Sequence, residues 1–323
     1  MKVRGKVLSL MLCGALAGTH AHAQNYPSKP LRYVIPYAAG GALDIVARAH
    51  AQYLSEKLGQ SVVADNRPGA SQVIAIEAVA KAPPDGHTLL MGTMAGLLFL
   101  TASRKSLPYD PFKDLASVSL LVSVPFTLAV HPSVPVTSTQ ELIDYAKKNP
   151  GKLSFGTTGT GSAYHLAGEL IQLIAGVKFL HVPYKSSPQA ITDLVAGRID
   201  TAFSVYATTR QFVESGKLKN IALLNNGGFA ALNGVPVVGD ILPGFQSPPL
   251  WGGYFGPAGL PPAIISRLNG EMNKALAQAD LRTLMERGGL APAGGTPDQF
   301  GAMMKSDVER LQRIVKAAGI VPE

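Results

Sequence analysis

The sequence predicts an α/β protein of two lobes, each a mostly parallel sheet flanked by helices, with a ligand cleft between them. Three observations carry this. Apolar strands and amphipathic helices alternate along most of the chain, the rhythm of parallel sheets covered on both faces. The alternation runs twice, and each run holds a glycine-rich turn between a strand and a helix. The 323 residues, 46% apolar and 15% charged, suffice for two packed cores.

The first residues read as a leader. Lys2, Arg4 and Lys6 precede the apolar run Val7–Ala17, which is too short to span a bilayer. Ala21-His22-Ala23 has small-x-small cleavage spacing, so residues 1–23 are expected to be a signal peptide and Gln24 the mature start. An uncleaved anchor would need a stop-transfer pattern, which does not follow. Cys13, the sole cysteine, follows Leu12 rather than a small residue, against lipidation. The mature chain then has no thiol or disulfide chemistry. Three of the 29 Lys and Arg lie in the leader, leaving 26 against 21 acidic residues, a net +5. They are scattered, without basic runs, which excludes the usual nucleic-acid footprint.

In the first run, LRYVIPY is a strand and DIVARAHAQYLSEKL a helix, with Val46, Ala49, Tyr53, Leu54 and Leu58 at helical spacing and Gly59 as its stop. SVVADN is a second strand, SQVIAIEAVAKA a helix ended by Pro83-Pro84-Asp85-Gly86, and HTLLMGT a third strand. The second run follows SVSLLVSVPFTLAVHP. Ser138 and Glu141 form a capping box opening TQELIDYAKKN. KLSFGTT, FLHVPY, RIDTAFSV and LKNIALLN are strands, separated by the helices GSAYHLAGELIQLIAG, PQAITDLVAG and TTRQFVESG. PGFQSPPLWGGYFGP changes texture to glycine, proline and aromatics. Two helices follow, AIISRLNGEMNKALA and one opened by the box Thr296–Gln299 and running to Ala318.

The lobes are expected to be 24–124 plus 250–323, and 125–249. The chain would cross between them near Val122–Leu128 and Gln246–Trp251, making a hinge over the cleft. One continuous sheet with a helical tail is the alternative.

The turn Ala39-Gly40-Gly41-Ala42-Leu43-Asp44 lets backbone approach a ligand, and the helix behind it presents unpaired N–H groups and a partial positive charge. It lacks Gly-Lys-Ser/Thr and the GxGxxG spacing, so it is no nucleotide loop. It could equally be a tight connection, and Asp44 could serve the helix dipole alone. Gly156-Thr157-Thr158-Gly159-Thr160-Gly161-Ser162 repeats the device before the helix of His165, which either packs there or meets the ligand. The other mature histidines, His50, His87, His131 and His181, lack metal-ligand spacing. No HExxH, GxSxG or CxxC occurs, so neither catalytic residues nor a metal or cofactor are expected. Ser162 and His165 have no acid at a spacing that would complete a triad. Trp251, Tyr254 and Phe255 read as first-lobe core, or as one pocket-lining ring among them.

IPYAAGGALDIVAR, VVADNRPGASQVIAIEAVAKAPPDGHTLLMGT, SLPYDPFKDLASVSLL, FGTTGTGSAYHLAGEL, HVPYKSSPQAITDLVAGRID and AGGTPDQFGAMMKSDVERLQRIVKAAGI together resemble the Bug family. These are extracytoplasmic solute receptors of tripartite tricarboxylate transporters, and the resemblance runs from Tyr26 to Gly319. It implies a two-lobed periplasmic binding protein, not an enzyme, that closes on a small carboxylate and delivers it to integral-membrane transporter subunits. It implies a ligand carboxylate held between the turns, by Ala39, Gly40, Gly41, Ala42, Leu43 and Asp44 and by Thr157, Thr158, Gly159, Thr160, Gly161, Ser162 and His165. Tyr37 stands where the family commonly has phenylalanine, Ala42-Leu43 where it often has glycine and a small hydroxyl residue, and Ser204 where it often has aspartate. Without that aspartate the expected ligand has no amine. Phe203, Tyr206 and Arg210, with Tyr37 across the cleft, suit a dicarboxylate with an apolar or aromatic body, such as terephthalate; an aliphatic or citrate-like acid is the alternative, as is Arg210 being merely solvated. A monomer is expected. A signalling module, or an enzyme using the same cleft, are rival functions.

Overall fold

A computed structural model describes residues 26–160, 162–224, 232 and 234–317. The expected leader, the mature start at Gln24, Gly161 and Ala318 lie outside the described residues.

Two sheets form. The strands β1 (Leu31–Ile35), β2 (Val62–Asn66), β3 (Thr88–Thr93), β4 (Leu115–Ser123), β10 (Trp251–Pro257) and β11 (Ala291–Pro292) make a six-stranded sheet in the order β11-β4-β10-β3-β1-β2. The strands β5 (Phe126–Val130), β6 (Ser154–Thr157), β7 (Leu180–Pro183), β8 (Thr201–Val205) and β9 (Lys219–Leu223) make a five-stranded sheet in the order β7-β6-β8-β5-β9. The two-lobed α/β class stands. The sheets are mixed rather than mostly parallel: β1, β2 and β3 run together, as do β6, β7 and β8, and the remaining pairings are antiparallel. The reason is the crossings. A chain that leaves one sheet for the other and returns enters the new sheet from the edge it left, so its first strand runs backwards.

Strand alternation sets the cores. Tyr33, Ile35, Leu89 and Met91 face one side of the first sheet and pack with α1 (Ala42–Leu58), α9 (Pro262–Leu276) and α10 (Ala279–Arg287). Val34, Leu90 and Phe255 face the other and pack with α2 (Val73–Ala80), the short α3 (Leu100–Ser103) and its preceding turn, and α11 (Pro297–Ala317). In the second sheet Phe126, Leu128, Phe155 and Phe203 meet α4 (Thr139–Lys148), α5 (Ala163–Ala175) and Val238 of the short α8 (Val238–Ile241). Ala129 and Ala202 meet α6 (Ser187–Val195), with Phe212 and Val213 of α7 (Tyr206–Glu214) at the margin. Trp251, Tyr254 and Phe255 are first-lobe core, as read from the sequence.

Three elements differ from expectation. The glycine-rich WGGYFGP is the strand β10, between β4 and β3. The helix at SQVIAIEAVAKA starts at Val73, because Ala70, Ser71 and Gln72 hold φ of 44°, 54° and 82° in a left-handed turn. ADLRTLMER, unassigned by pattern, is α10.

The two crossings are tied together. Val124 N–H donates to Leu250 C=O at 2.9 Å. Across the gap Leu166 of α5 joins the core that holds Trp251, Leu311 and Ile314.

Candidate functional site

Parallel strands point their carboxyl ends to one edge. In the first sheet α1, α2 and α3 all follow from that edge; in the second, α5, α6 and α7 do. A Cβ built on Gly288, just after α10, would lie 3.6 Å from Ala42 Cβ. One built on Gly289 would lie 2.5 Å from Ala207 Cβ in α7. The Gly288-Gly289 turn thus stands between the first glycine turn and a helix start of the other lobe.

These helix starts are unusual in what they lack. α1, α2, α6 and α7 have no side-chain cap; α5 is capped by Ser162 Oγ, which accepts from His165 N–H at 3.2 Å. Among the helices that follow strands running the other way, α4 and α11 are fully capped, and α9 opens on Pro261-Pro262 without a side-chain cap. In α4, Ser138 Oγ accepts from Glu141 N–H at 3.2 Å, and Glu141 Oε2 accepts from Thr137 N–H at 2.6 Å. In α11, Thr296 and Gln299 exchange bonds of 3.2 and 2.9 Å. Uncapped N-termini leave N–H donors and a positive partial charge unanswered. Gathered on two facing edges, they suit an anion.

In the first turn, Ala39, Gly40, Gly41 and Ala42 are exposed, Leu43 is half-buried and Gly40 has φ of 92°. Asp44 is 2% exposed and turned inward. Its carboxylate accepts from Gly40 N–H at 2.9 Å, Arg48 Nε at 3.0 Å and Asn66 Nδ2 at 2.8 Å. Burial pushes its pKa up, but these donors outweigh it and hold the group below the ordinary range. Asp44 shapes the turn, and its bonds lie within its own lobe. Asn66 also donates to Tyr37 C=O at 2.9 Å.

Tyr37 belongs to a closed ring of hydrogen bonds. Gln72 Nε2 donates to Tyr37 Oη at 2.9 Å, and Thr93 Oγ1 donates to Gln72 Oε1 at 3.0 Å. Thr93 has one proton, so at 2.9 Å Tyr37 donates to Thr93. All three protons stay inside the ring. Burial raises the Tyr37 pKa, against the pull of these bonds. The left-handed run Ala70–Gln72, on the order of 1–3 kcal/mol of strain per residue, delivers Gln72 to this ring.

In the second turn Thr157 is buried, Thr158 and Gly159 are half-buried, and Thr160 is exposed; Gly161 lies outside the described residues. Ser162 keeps its hydroxyl proton available, because its cap bond uses only a lone pair. His165 is buried, its ring tilted against that of His181 with centroids 4.2 Å apart, and its Nε2 lies 3.5 Å from Glu169 Oε1. Burial lowers its pKa, against Glu169.

The remaining expectations fare differently. Phe203 is core, edge-on to Phe155 at 5.8 Å. Tyr206 packs with Leu223 and Leu232. Ser204 is fully buried and bonded to Thr208 Oγ1 at 2.9 Å. Arg210 is exposed, its Nε 2.7 Å from Glu214 Oε1. These four therefore form no aromatic wall with a buried arginine clamp: alternate positions on β8 must fill the core, and the fourth residue on from Arg210 is an acid. Asn66, Gln72, Thr93 and His181 were not singled out from the sequence. Polar residues at the carboxyl ends of parallel strands were the signal for the first and third, and the PGASQ stretch for the second. Among the described residues no group of three or more His, Cys, Asp and Glu could hold a metal.

Residues 46–320 match the tripartite tricarboxylate transporter family receptor model. The Bordetella pertussis protein BugT is 32% identical over 315 residues, covering 97% of this chain and 96% of its own. The structure of R. palustris Rpa4515 with adipate superposes with a TM-score of 0.75 at 32% identity, over 92% of this chain and 100% of that one. MatC from Rhodopseudomonas palustris with bound malate gives 0.70 at 28%, over 90% and 100%.

Proposed function

The chain belongs to the tripartite tricarboxylate transporter receptor family, and from that membership we propose that it captures a small amine-free dicarboxylate between its lobes and hands it to a membrane transporter. Members of this family are solute receptors of the periplasm, not enzymes. The observation that carries the ligand class is the contrast in capping. Side chains close the starts of α4 and α11 at the far edges, where α9 instead opens on two prolines; at the facing edges Ser162 caps α5 and no side chain caps α1, α2, α6 or α7. A carboxylate supplies the missing acceptors.

The absence of an amine follows from Asp44. An ammonium group buried in the cleft needs an acid, and Asp44 is already claimed by Arg48, Asn66 and Gly40. With Phe203 and Tyr206 packed in cores, the case for an aromatic body weakens. An aliphatic dicarboxylate now stands ahead of terephthalate, in keeping with the adipate and malate of the two neighbours. On this reading the lobes are 24–124 with 250–323 and 125–249, the receptor is a monomer, and residues 1–23 are removed on export. Among the described residues no helix is long and apolar enough to cross a membrane.

Calorimetric titration with adipate, malate, terephthalate, aspartate and glutamate tests the ligand. Adipate or malate should bind. Tight binding of an amino acid alone would refute the amine-free reading. An intact mass that still includes residues 1–23 in periplasmic protein would refute the processing.

A further inference from the structure

We propose that His181 is a positioning residue for the second-lobe turn, holding Gly159 in place through the hydroxyl of Thr157. The inference rests on the reading that this turn meets the ligand. Thr157 is the last residue of β6 and fully buried. Its Oγ1 lies 2.7 Å from His181 Nε2. The same hydroxyl accepts from Gly159 N–H at 3.2 Å and donates to Gly159 C=O at 3.3 Å.

The proton count gives this arrangement its direction. A hydroxyl has one proton and can accept as well. Gly159 N–H fills one acceptor position. A neutral ring carrying its hydrogen on Nε2 fills the other by donating to the hydroxyl, whose own proton then goes to Gly159 C=O. Burial and the neighbouring His165 keep the ring neutral by lowering its pKa to about 4. Phe155 of β6 and His165 of α5 flank the ring at 4.9 and 4.2 Å, with Glu169 beyond His165. His181 is thus fixed on two sides and presents Nε2 to Thr157.

Gly159 needs such a brace. Its φ is 113°, and a Cβ built on it would meet only Tyr184 C=O, at 3.8 Å. The turn tip is therefore scarcely packed. Besides Thr157, its backbone is held by Ser162 N–H, which donates to Gly159 C=O at 3.2 Å. Losing the Thr157 hydroxyl, or the imidazole that orients it, frees Gly159 to leave the conformation from which the turn meets a carboxylate.

The test uses amide hydrogen exchange at Gly159 in the ligand-free mature chain, followed by NMR, with adipate titration as a second readout. His181→Leu and Thr157→Val should each speed exchange at Gly159 about tenfold or more, with first-lobe amides unchanged. The double variant should match either single one, because both break one chain of bonds. His181→Gln, whose amide can occupy the Nε2 position, and Thr157→Ser should stay near the parent. If His181→Leu fails to fold, the Thr157→Val and Thr157→Ser pair carries the test. Unchanged Gly159 exchange in Thr157→Val, or additive effects in the double variant, would overturn the proposal. A parent that ignores adipate would count against the ligand reading, and the exchange result would still decide the brace.

Discussion

The Trp251 indole N–H donates to Asp307 Oδ2 at 2.8 Å, inside the first-lobe core. Arg310, one turn along α11, bonds to the same carboxylate and also donates to Ser247 C=O at 3.0 Å. Ser247 lies in the returning crossing, so one buried acid ties the sole tryptophan, the last described helix and the hinge together. Burial raises the Asp307 pKa against the pull of Arg310 and Trp251.

Asp307→Ala leaves a buried indole N–H and a guanidinium without their acceptor. The expected loss is about 3–5 kcal/mol, as for removal of one partner of a buried pair. Urea denaturation followed by Trp251 fluorescence measures it. A loss under about 1 kcal/mol would show that water replaces the carboxylate.

Thr160 and Ser162 separate binding from folding. Thr160 is exposed, so Thr160→Ala should leave stability within about 0.5 kcal/mol while weakening carboxylate binding by roughly 1.5–3 kcal/mol. Ser162→Ala should weaken binding too, and it also removes the α5 cap at a cost of about 1 kcal/mol. Two variants that both bind as tightly as the parent would reduce the second turn to a connection.

Acid should destabilise the fold through His50. It is fully buried, with Nε2 3.3 Å from Met272 C=O, and burial lowers its pKa to about 4. Above pH 6.5 the ring is neutral whether folded or unfolded. As pH falls from 6.5 toward 4 the unfolded chain takes up the proton and the native one does not, so stability drops by about 3 kcal/mol from this group. Below 4 its contribution levels off. His50→Phe should flatten that part of a stability–pH curve; an unaltered slope would place the proton uptake elsewhere.

Gly289 sets how near the lobes come at the α10–β11 turn. Its φ is 70°, and the space a Cβ would need is taken by Ala207. Gly289→Val should widen the approach and weaken ligand binding. Small-angle scattering should show the parent compacting on saturation with a tight ligand and the variant compacting less. A parent whose radius of gyration does not change on saturation would remove hinge closure from the mechanism.

The alternation of strands and helices was readable because each strand–glycine–helix unit is local. Both glycine turns lie where the pattern placed them. Strand β10 was not readable, for a packing reason. A Cβ on Gly253 would come within 2.5 Å of the Phe300 ring, and one on Gly256 within 2.1 Å of Leu260. Glycine there makes room for α11 and for the loop before α9, and it erases the apolar signature of a strand. The roles of Phe203 and Arg210 were not readable, because spacing along β8 and α7 does not reveal which side faces the cleft.

The position of β10 between β3 and β4 constrains the order of folding. Every strand of the second sheet lies between Phe126 and Leu223 and is complete before β10 is made. The first sheet, begun nearly a hundred residues earlier, has a gap in its middle until Trp251–Pro257 arrives. A chain ending at Val124 should therefore stay unfolded by circular dichroism, whereas one covering the second-sheet segment has all its strands. The lobe that starts first is finished last.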